Sequence, residues 1–383
     1  MPLSKIVANS ITDNTITTDQ IADTSVHGRR NLVINGAMQV AQRGQTFTSI
    51  SLNTYTCDRW FYQLSGSGGR GTATQETSGG PAGFKDNFLR VTVTNTDSTV
   101  AADDIILVKQ VLEGHVAAFT DQGTADAQDL TLSFYVRSSI TGTFSATLLT
   151  NFSPTPASHP KNYTINSANT WERKTITFPG YTTSKTLVSS GYTNGEYMQV
   201  RFALLAGSNR TGPADQWNLA NDFATTSQIN FFANSGATWD ITGVQLELGS
   251  QASPFEHRSL GEELTLCQRY FAKASGEDNN SRCLGHGSRK DGNGTGFRVI
   301  TWVPVAMRAD PSVVEKSPGS QTYRFNGSNG NYNNNGSTAA TLDNNGQPKL
   351  TLNVLGFSGI PENAQGLIKV EGSGNWVALD AEL

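Results

Sequence analysis

Charge is scarce in this sequence of 383 residues. Asp, Glu, Lys and Arg together make up only 16% of it, and the formal net charge is -4. A surface that binds duplex nucleic acid needs clustered Lys and Arg side chains, because these displace the counterions of the phosphates. The composition therefore argues against nucleic acid as a partner.

Long apolar runs are missing as well. No stretch approaches the ~20 apolar residues that a helix needs to cross a bilayer. The start, MPLSKIVANS, lacks the apolar core of a signal peptide. We therefore expect a soluble protein that is made in a cytoplasm, is not exported through the Sec pathway and does not insert into a membrane.

Cysteine is rare, and its three copies stand far apart. Cys57, Cys267 and Cys283 contain no C-x-x-C among them. This pattern predicts reduced thiols rather than a disulfide framework or a zinc cluster. The residues themselves imply no cofactor.

The signatures of common enzymes are absent. No G-x-S-x-G, H-E-x-x-H or P-loop occurs, and the histidines are scattered singly. Gly66, Gly68 and Gly71 match the dinucleotide fingerprint, but no strand-to-helix pattern surrounds them. A glycosidase needs two carboxyl groups about 5–10 Å apart, which a sequence can neither show nor exclude. We therefore assign no catalytic residue.

Threonine and glycine, in contrast, are abundant, with 44 and 38 residues. Such a composition favours β-strands joined by turns over helices. No alternation of strand and helix patterns appears along the chain. The sequence therefore predicts an all-β protein.

Residues 31–257 contain eight stretches that alternate or run apolar in the manner of strands. Turn-rich segments, 65–71 and 151–160, separate some of them. Eight strands over this length are typical of a two-sheet sandwich of the jelly-roll type with long loops. The stretches are Phe88–Val93, Ile105–Val111, Leu130–Val136, Phe144–Leu149, Lys174–Phe178, Met198–Leu205, Ile229–Phe232 and Trp239–Leu248.

Residues 1–30 carry an isoleucine at every fifth position, namely Ile6, Ile11, Ile16 and Ile21. Neither a helix nor a strand has that period, so one such segment alone cannot bury its isoleucines. Three copies wound about a common axis would bury them, which predicts the stalk of a homotrimer. A polar tail is the alternative.

Residues 258–283 contain the clearest helical pattern. Ser259 and Glu262 stand at capping-box spacing ahead of an apolar stripe. In a monomer this stripe would lie on a sandwich, and in a fibre it would pack against symmetry mates as a short helical neck, which we favour. The stripe consists of Leu260, Leu264, Cys267, Tyr270 and Phe271.

Residues 284–383 predict a second, C-terminal β-sandwich that forms a tip domain. Its few apolar residues per strand suggest that neighbouring copies help to bury it. The expected strands are Phe297–Val305, Leu350–Leu355, Leu367–Val370 and Trp376–Leu379.

Aromatic residues within polar loops are the candidates for contacting a sugar. An aromatic face covers a pyranose ring, while amide and carboxylate groups bind its hydroxyls. For each ring the alternative is that it folds back on its own domain. The candidates are Tyr332, Tyr323 and Phe325 around the Asn-rich loop, and Trp217 and Tyr181 in the first sandwich. Trp60, Trp171 and Trp239 lie in strand-like contexts and are expected in the core.

Several segments together resemble a known protein family. NLVINGAMQVAQRG (31–44) with TCDRW (56–60), and WDITGVQLELGSQASPFEHRSLGEELTLCQRYF (239–271), resemble the bounds of a carbohydrate-binding-module-like jelly roll of bacteriophage tail fibres. VPVAMRADPSVV (303–314) and WVALDAEL (376–383) are similar to the terminal module of the same proteins, and the Ile-Thr repeat to their attachment stalks. The match is specific at both ends of the jelly roll.

The resemblance implies a homotrimeric virion protein. Its N-terminus would join a tail or baseplate protein, and its C-terminal part would meet the polysaccharide of the bacterial surface, so we expect it in the tail fibre of a virion. It carries over no catalytic residue. Some such modules hold a calcium ion, and the sequence leaves open whether this one does. The rival interpretations are a polysaccharide depolymerase and a purely structural tail or neck protein.

Overall fold

The protein is built almost entirely from β-strands, which confirms the predicted all-β class. The structure is a computed structural model, and within the residues it describes only two short α-helices accompany the strands. Because residues 1–29 are not described, nearly all of the predicted stalk lies outside the described residues. The structure describes residues 30–383 except 67, 85, 188–190, 274–281, 290–294, 317–322, 328–329, 334–339, 345–348, 359, 362–363 and 371–375.

The first part of the chain contains sixteen strands within the described residues. Its only α-helix there, α1, spans Gly114–Ala117. The strands are β1 Thr46–Ile50, β2 Thr54–Tyr55, β3 Phe61–Ser65, β4 Arg70–Glu76, β5 Phe88–Asn95, β6 Ile105–Glu113, β7 Leu130–Ser138, β8 Gly142–Thr150, β9 Phe152–Ser153, β10 Ala157–Ile165, β11 Glu172–Phe178, β12 Thr186–Leu187, β13 Glu196–Ala206, β14 Thr211–Gly212, β15 Ala224–Thr225 and β16 Thr238–Leu248.

Two six-stranded antiparallel sheets form a sandwich. Sheet A has the strand order β1-β4-β5-β16-β7-β11, and sheet B has the order β10-β8-β13-β6-β3-β2. Their inner faces enclose one large apolar core, in which Trp60 and Trp239 are fully buried. The prediction that these two tryptophans belong to the core is therefore confirmed, whereas Trp171 is only partly buried.

Alternation along each strand decides which side chains face the core. In β7, Leu132, Phe134 and Val136 lie in the core, whereas Tyr135 on the opposite face is half-buried. Seven of the eight predicted stretches are strands. The prediction was wrong at 229–232, because Phe231–Ala233 forms a 3₁₀ turn in which two adjacent rings are both buried. The segment 151–160, expected to be a turn, already contains the start of β10.

Helix α2 spans Leu260–Gln268 and begins as the capping-box pattern predicted. The Ser259 hydroxyl accepts a hydrogen bond from the amide of Glu262 at 3.2 Å. Cys267 and Tyr270 are buried against Ile34 of the same chain. Of the stripe, Cys267 and Tyr270 are thus covered by the chain's own first part. Leu260 is 60% exposed, and Phe271, just beyond the helix, packs against Ala378 of the C-terminal part.

The C-terminal part is a second β-sandwich with its own core. A three-stranded sheet, in the order β17-β26-β20, faces a seven-stranded sheet in the order β22-β21-β25-β18-β19-β24-β23. The strands are β17 Phe271–Lys273, β18 Arg282–Arg289, β19 Gly296–Trp302, β20 Ser312–Lys316, β21 Tyr323–Gly327, β22 Gly330–Asn333, β23 Thr341–Asn344, β24 Lys349–Leu355, β25 Gln365–Val370 and β26 Trp376–Asp380.

Buried charged groups join the two sandwiches. The Arg59 and Glu382 side chains, 1% and 4% exposed, form an ion pair, and the Arg59 guanidinium carbon lies 3.4 Å from the centroid of the Tyr270 ring. The Tyr55 hydroxyl donates to the backbone carbonyl of Leu383 at 2.6 Å. The last residues of the chain are therefore held against the first sandwich.

Further arginines stabilise this junction, among them Arg43, which pairs with Asp380 at 3.1 Å and with Glu382 at 3.4 Å. Arg269 donates to both carboxylate oxygens of Glu113, at 2.7 and 3.1 Å. Arg308 donates to the carbonyls of Asn194, Ala381 and Glu382, at 2.8, 2.6 and 2.9 Å. The segments TCDRW, VPVAMRADPSVV and WVALDAEL, which are far apart in sequence, thus meet at one place.

Candidate functional site

A cleft of about 450 Å³ opens on the outer face of sheet A. Its volume lies within the usual range of ligand pockets. Two loops form its walls, and strands β7 and β11 form its floor. The residues that line it are Ala82, Gly83, Phe84, Tyr135, Arg173, Ala252, Ser253, Pro254, Phe255 and His257. We call it the outer cleft.

The floor of the outer cleft follows from strand register. Tyr135 on β7 is paired with Arg173 on β11 and with Thr242 on β16. Side chains directly opposite each other in a sheet point to the same face. Tyr135 and Arg173 therefore project together from the outer face, opposite to the core side chains Phe134 and Val136.

Four aromatic rings pack around the floor. The Phe84 ring lies 5.0 Å from Tyr135, 5.0 Å from Phe255 and 5.3 Å from His257, measured between centroids. Phe255 and His257 are 4.9 Å apart with an interplanar angle of 75°. Phe84 is buried beneath the other three, and Tyr135 and Phe255 keep part of their surface in solvent. Phe255 makes edge-to-face contacts with both Phe84 and His257, and these contacts hold the rings in place.

A glycine in β16 makes room for the rings. Gly243 has a φ of +61°, and the register of β16 with β7 shifts between Thr242 and Gln245. A Cβ atom at this position would lie 2.6 Å from the Phe84 ring and 3.1 Å from Tyr135. Glycine is therefore required both by the left-handed backbone and by the close approach of the aromatic side chains.

Replacement of Gly243 by alanine is expected to destabilise the fold by about 2–4 kcal/mol, the sum of left-handed strain and overpacking. Gly236→Ala is the matched control, because Gly236 has a φ of +72° but nothing within 4 Å of its Cβ position. Its expected cost is only the strain, about 1–2 kcal/mol. Chemical denaturation measures both, and equal losses would contradict the packing role of Gly243.

The second wall is anchored by polar side chains of β16. The Glu247 carboxylate accepts from the Ser253 amide at 2.9 Å and from the Ser253 hydroxyl at 2.5 Å. The Gln245 amide group donates to the Ser253 hydroxyl at 3.1 Å and accepts from the Glu256 amide at 2.8 Å. The segment that carries Phe255 and His257 is thus fixed onto sheet A and does not have to order when a ligand binds.

The cleft offers a defined set of chemical groups. Tyr135, Phe255 and His257 present aromatic surface, and Arg173, which donates to the Ser253 carbonyl at 3.0 Å, supplies further N–H donors. Among the described lining residues there is no aspartate or glutamate. This set suits stacking and hydrogen bonding of a polar ring. It lacks the carboxyl pair that glycosidic cleavage requires.

The structure places two predicted sugar-binding residues in the core of the second sandwich. Tyr323 and Phe325, two residues apart in β21, are 1% and 0% exposed. Phe325 stacks on Phe297 with the centroids 4.1 Å apart. Because neither ring has a face in solvent, the expectation that they cover a sugar is corrected. Tyr332 pairs with Phe325 in the neighbouring strand, and its side chain lies outside what the structure describes.

The other two predicted residues come together in the first sandwich. The Tyr181 and Trp217 rings are 5.4 Å apart, and both pack in an apolar cluster beside His159. Tyr181 is buried, and the Trp217 indole N–H donates to the Pro179 carbonyl at 2.8 Å. Trp217 is half-buried, so only part of its ring is free for a ligand.

Sequence reasoning missed the residues of the outer cleft. Tyr135 falls between Phe134 and Val136 in a strand, so strict alternation already places an aromatic ring on the polar face. Phe255 and His257 stand within the segment 239–271, in which a family resemblance gives no role to a single residue. Phe84 gave no signal, because its approach to Tyr135 depends on a loop.

The described residues contain no cluster of metal-ligating side chains. In that part of the chain no three His, Cys, Asp or Glu side chains lie together as ligands. No described helix is long and apolar enough to cross a membrane.

Comparisons with known proteins concern the fold. No protein-family model matches the sequence. No curated protein matches it either. The chain is similar to the solved enzymatically active domain of tailspike protein 4 from bacteriophage CBA120, with 13% identity and a TM-score of 0.32 over 58% of this chain and 22% of that one. It therefore spans about a fifth of that structure's length.

Two smaller structures are similar over nearly their whole length. One is the N-terminal cellulose-binding domain of Cellulomonas fimi β-1,4-glucanase C, with 14% identity and a TM-score of 0.25 over 46% of this chain and 88% of that one. The other is a family 11 carbohydrate-binding module from Clostridium thermocellum in complex with a mixed-linked tetrasaccharide, with 11% identity and a TM-score of 0.26 over 56% and 97%. At such values the likeness carries no conclusion about a ligand.

Proposed function

We propose that this protein binds a polysaccharide of the bacterial surface in the outer cleft and thereby attaches a virion to its host, without covalent chemistry. The observation that carries the proposal is the cleft itself, a preformed groove with three accessible aromatic side chains beside Arg173. Aromatic faces and a few fixed polar groups are what a sugar ring needs.

The absence of cleavage is part of the proposal. Hydrolysis of a glycosidic bond needs an acid and a second carboxylate on either side of it. Glu256, within the wall, accepts from the backbone amides of Arg30 and Asn31. Glu247, which anchors the wall, is 5% exposed and is occupied by hydrogen bonds from Ser253. It is therefore a structural group and is not offered to a substrate.

The oligomeric assembly in this proposal is the one that the sequence predicts. We propose a homotrimeric tail fibre whose N-terminal segment joins a tail or baseplate protein. Three identical clefts on one particle would engage a repetitive polysaccharide together, so that a weak contact per chain suffices for firm attachment.

Competition for host cells tests this function. Purified protein added before the virions is expected to reduce their adsorption in proportion to the occupied receptors. Host polysaccharide recovered from the same incubation should keep its chain length. Unreduced adsorption would contradict attachment, and shortened chains would favour a depolymerase instead.

Tyr332 gives a second test, because the sequence also points to the C-terminal part as the receptor tip. We expect Tyr332→Ala to change polysaccharide affinity by less than about twofold, since interface residues outside the central contact contribute little. Equilibrium binding to immobilised host polysaccharide measures this. A loss of tenfold or more would place the receptor site at the tip.

A further inference from the structure

Two cationic side chains lie side by side on the outer face of sheet B, on the side of the sandwich opposite to the outer cleft. Lys109 on β6 is paired in register with Arg201 on β13, and Phe61 on β3 is paired with Lys109. The three side chains therefore form one row across three strands. Like charges directly opposite each other destabilise a sheet.

The two cations share a single neutral acceptor. The Lys109 ammonium nitrogen lies 3.3 Å from the side-chain oxygen of Gln199, and the Arg201 Nε donates to the same oxygen at 2.7 Å. The distance between the Lys109 ammonium nitrogen and the Arg201 Nε atom is therefore no greater than the sum of these two distances. Among the described residues neither cation forms an ion pair.

The surroundings fix Arg201 but leave Lys109 with few contacts. Arg201 is 2% exposed and donates through Nη1 to the Asn221 side chain at 2.8 Å and to the Asp222 carbonyl at 3.1 Å. Its guanidinium also lies 4.3 Å from the Phe223 ring centroid. Lys109, which is half-buried, lies 5.3 Å from the ring centroid of Phe61.

Two carboxylates stand near this row, and each accepts a hydrogen bond from a side-chain amide. Glu196 accepts from the Gln199 side-chain amide at 2.7 Å, and Asp222 accepts from Asn218 at 3.2 Å. Burial lowers the pKa of Lys109 to about 8, and the charge of Arg201 adds to the effect. Burial likewise lowers the pKa of Arg201. The charge of Glu196 acts in the opposite direction and raises the pKa of both cations, as Asp222 does for Arg201, but within the described residues neither carboxylate forms an ion pair with them.

We propose that this row is a second binding site, which takes the oxyanion of an acidic saccharide beside Lys109 and Arg201, with Phe61 against the sugar ring. A carboxylate or a phosphate would accept from both cations and replace the single shared amide oxygen. This site is separate from the outer cleft, and it adds a preference for anionic surface polysaccharides. It does not depend on whether the outer cleft binds sugar.

Titration of the full-length protein with small probes tests the site. Glucuronate and glucose 6-phosphate, which separate a carboxylate from a phosphate, are each expected to raise the melting temperature, whereas glucose at the same concentration is not. Lys109→Met keeps the apolar stem but removes the charge. It should bind either anion at least tenfold more weakly while its own melting temperature does not fall. Lys161→Met is the control, since that half-buried lysine pairs with the exposed Asp215 at 3.2 Å.

If Lys109→Met folds poorly, the pH dependence of anion binding by the wild-type protein still tests the proposal. The oxyanion binds the protonated amine, so affinity is present below the pKa of Lys109 and falls as the pH rises through it. Between pH 7 and pH 9.5 we expect at least about a threefold loss in the wild-type protein. No response to either anion, equal affinity in Lys109→Met, or an affinity independent of pH would overturn the proposal. A Tyr135→Ala protein should keep this response, which separates the two sites.

Discussion

Tyr135→Ala is expected to weaken polysaccharide binding by at least about 30-fold, roughly 2 kcal/mol, because a central aromatic residue of a binding site contributes on that scale. The ring stands in the floor of the outer cleft and contacts Phe84 at 5.0 Å. Removal of the Tyr135 ring takes away the surface on which a sugar would stack, together with the contact that supports the buried Phe84 ring. Equilibrium titration with fragments of host polysaccharide measures the loss.

Matched variants separate the loss of stacking from other causes of weaker polysaccharide binding. Tyr135→Phe keeps the ring and should retain affinity within about threefold, because one exposed hydroxyl contributes little. Tyr192→Ala removes an equally large ring that is 55% exposed and lies outside the cleft. It should leave binding unchanged. If Tyr192→Ala weakened binding as much as Tyr135→Ala, the cleft would not be the site.

Arg59→Met is expected to destabilise the protein by about 3 kcal/mol, because it removes the fully buried partner of the Glu382 carboxylate and leaves only the ion pair with Arg43, at 3.4 Å. It also removes the guanidinium that lies against the Tyr270 ring. The C-terminal segment should then detach from the first sandwich. Chemical denaturation measures the loss of stability, and limited proteolysis reports the release of the last residues.

An exposed ion pair provides the control for this prediction. Lys161 and Asp215 are 3.2 Å apart, with the Asp215 side chain 69% exposed. Lys161→Met should cost no more than about 1 kcal/mol, as surface pairs usually do. The double variant Arg59→Met with Glu382→Leu removes both charges and should recover part of the loss. If the double variant were no more stable than Arg59→Met, the fit of the side chains, rather than the charge left on Glu382, would govern the stability of the junction.

Strand positions could be predicted because alternation is a local property. In Leu130–Ser138 the apolar residues that recur at every second position are the ones that face the core. The start of α2 was predictable for the same reason, since the Ser259 hydroxyl accepts from the amide of Glu262 only three residues later. Such signals do not depend on the rest of the chain.

The outer cleft could not be predicted, because it is assembled from distant segments. Phe84, Tyr135 and Phe255 approach one another only after the two loops have folded over sheet A and Gly243 has opened space in β16. An aromatic residue beside a polar loop is a poor predictor of a sugar-binding site for a related reason. Phe325 stands beside an Asn-rich segment, yet strand alternation turns it into the core.

The junction shows a further limit of reading segments one at a time. Arg59, Arg269 and Arg308 stand far apart in a sequence poor in charge. In the structure they bind carboxylates and carbonyls of the same C-terminal segment or of the strand beneath it. Several of the segments with the clearest resemblance are thus interface segments, and their shared role is to hold two sandwiches together.

The most direct test of the central claim is a titration of the full-length protein with purified host polysaccharide, followed by measurement of the polysaccharide's chain length. The account predicts saturable binding with one outer-cleft site per chain, a loss of that binding in Tyr135→Ala, and an unchanged chain length. Equal binding by the wild type and Tyr135→Ala, or polysaccharide shortened by the wild type, would contradict it.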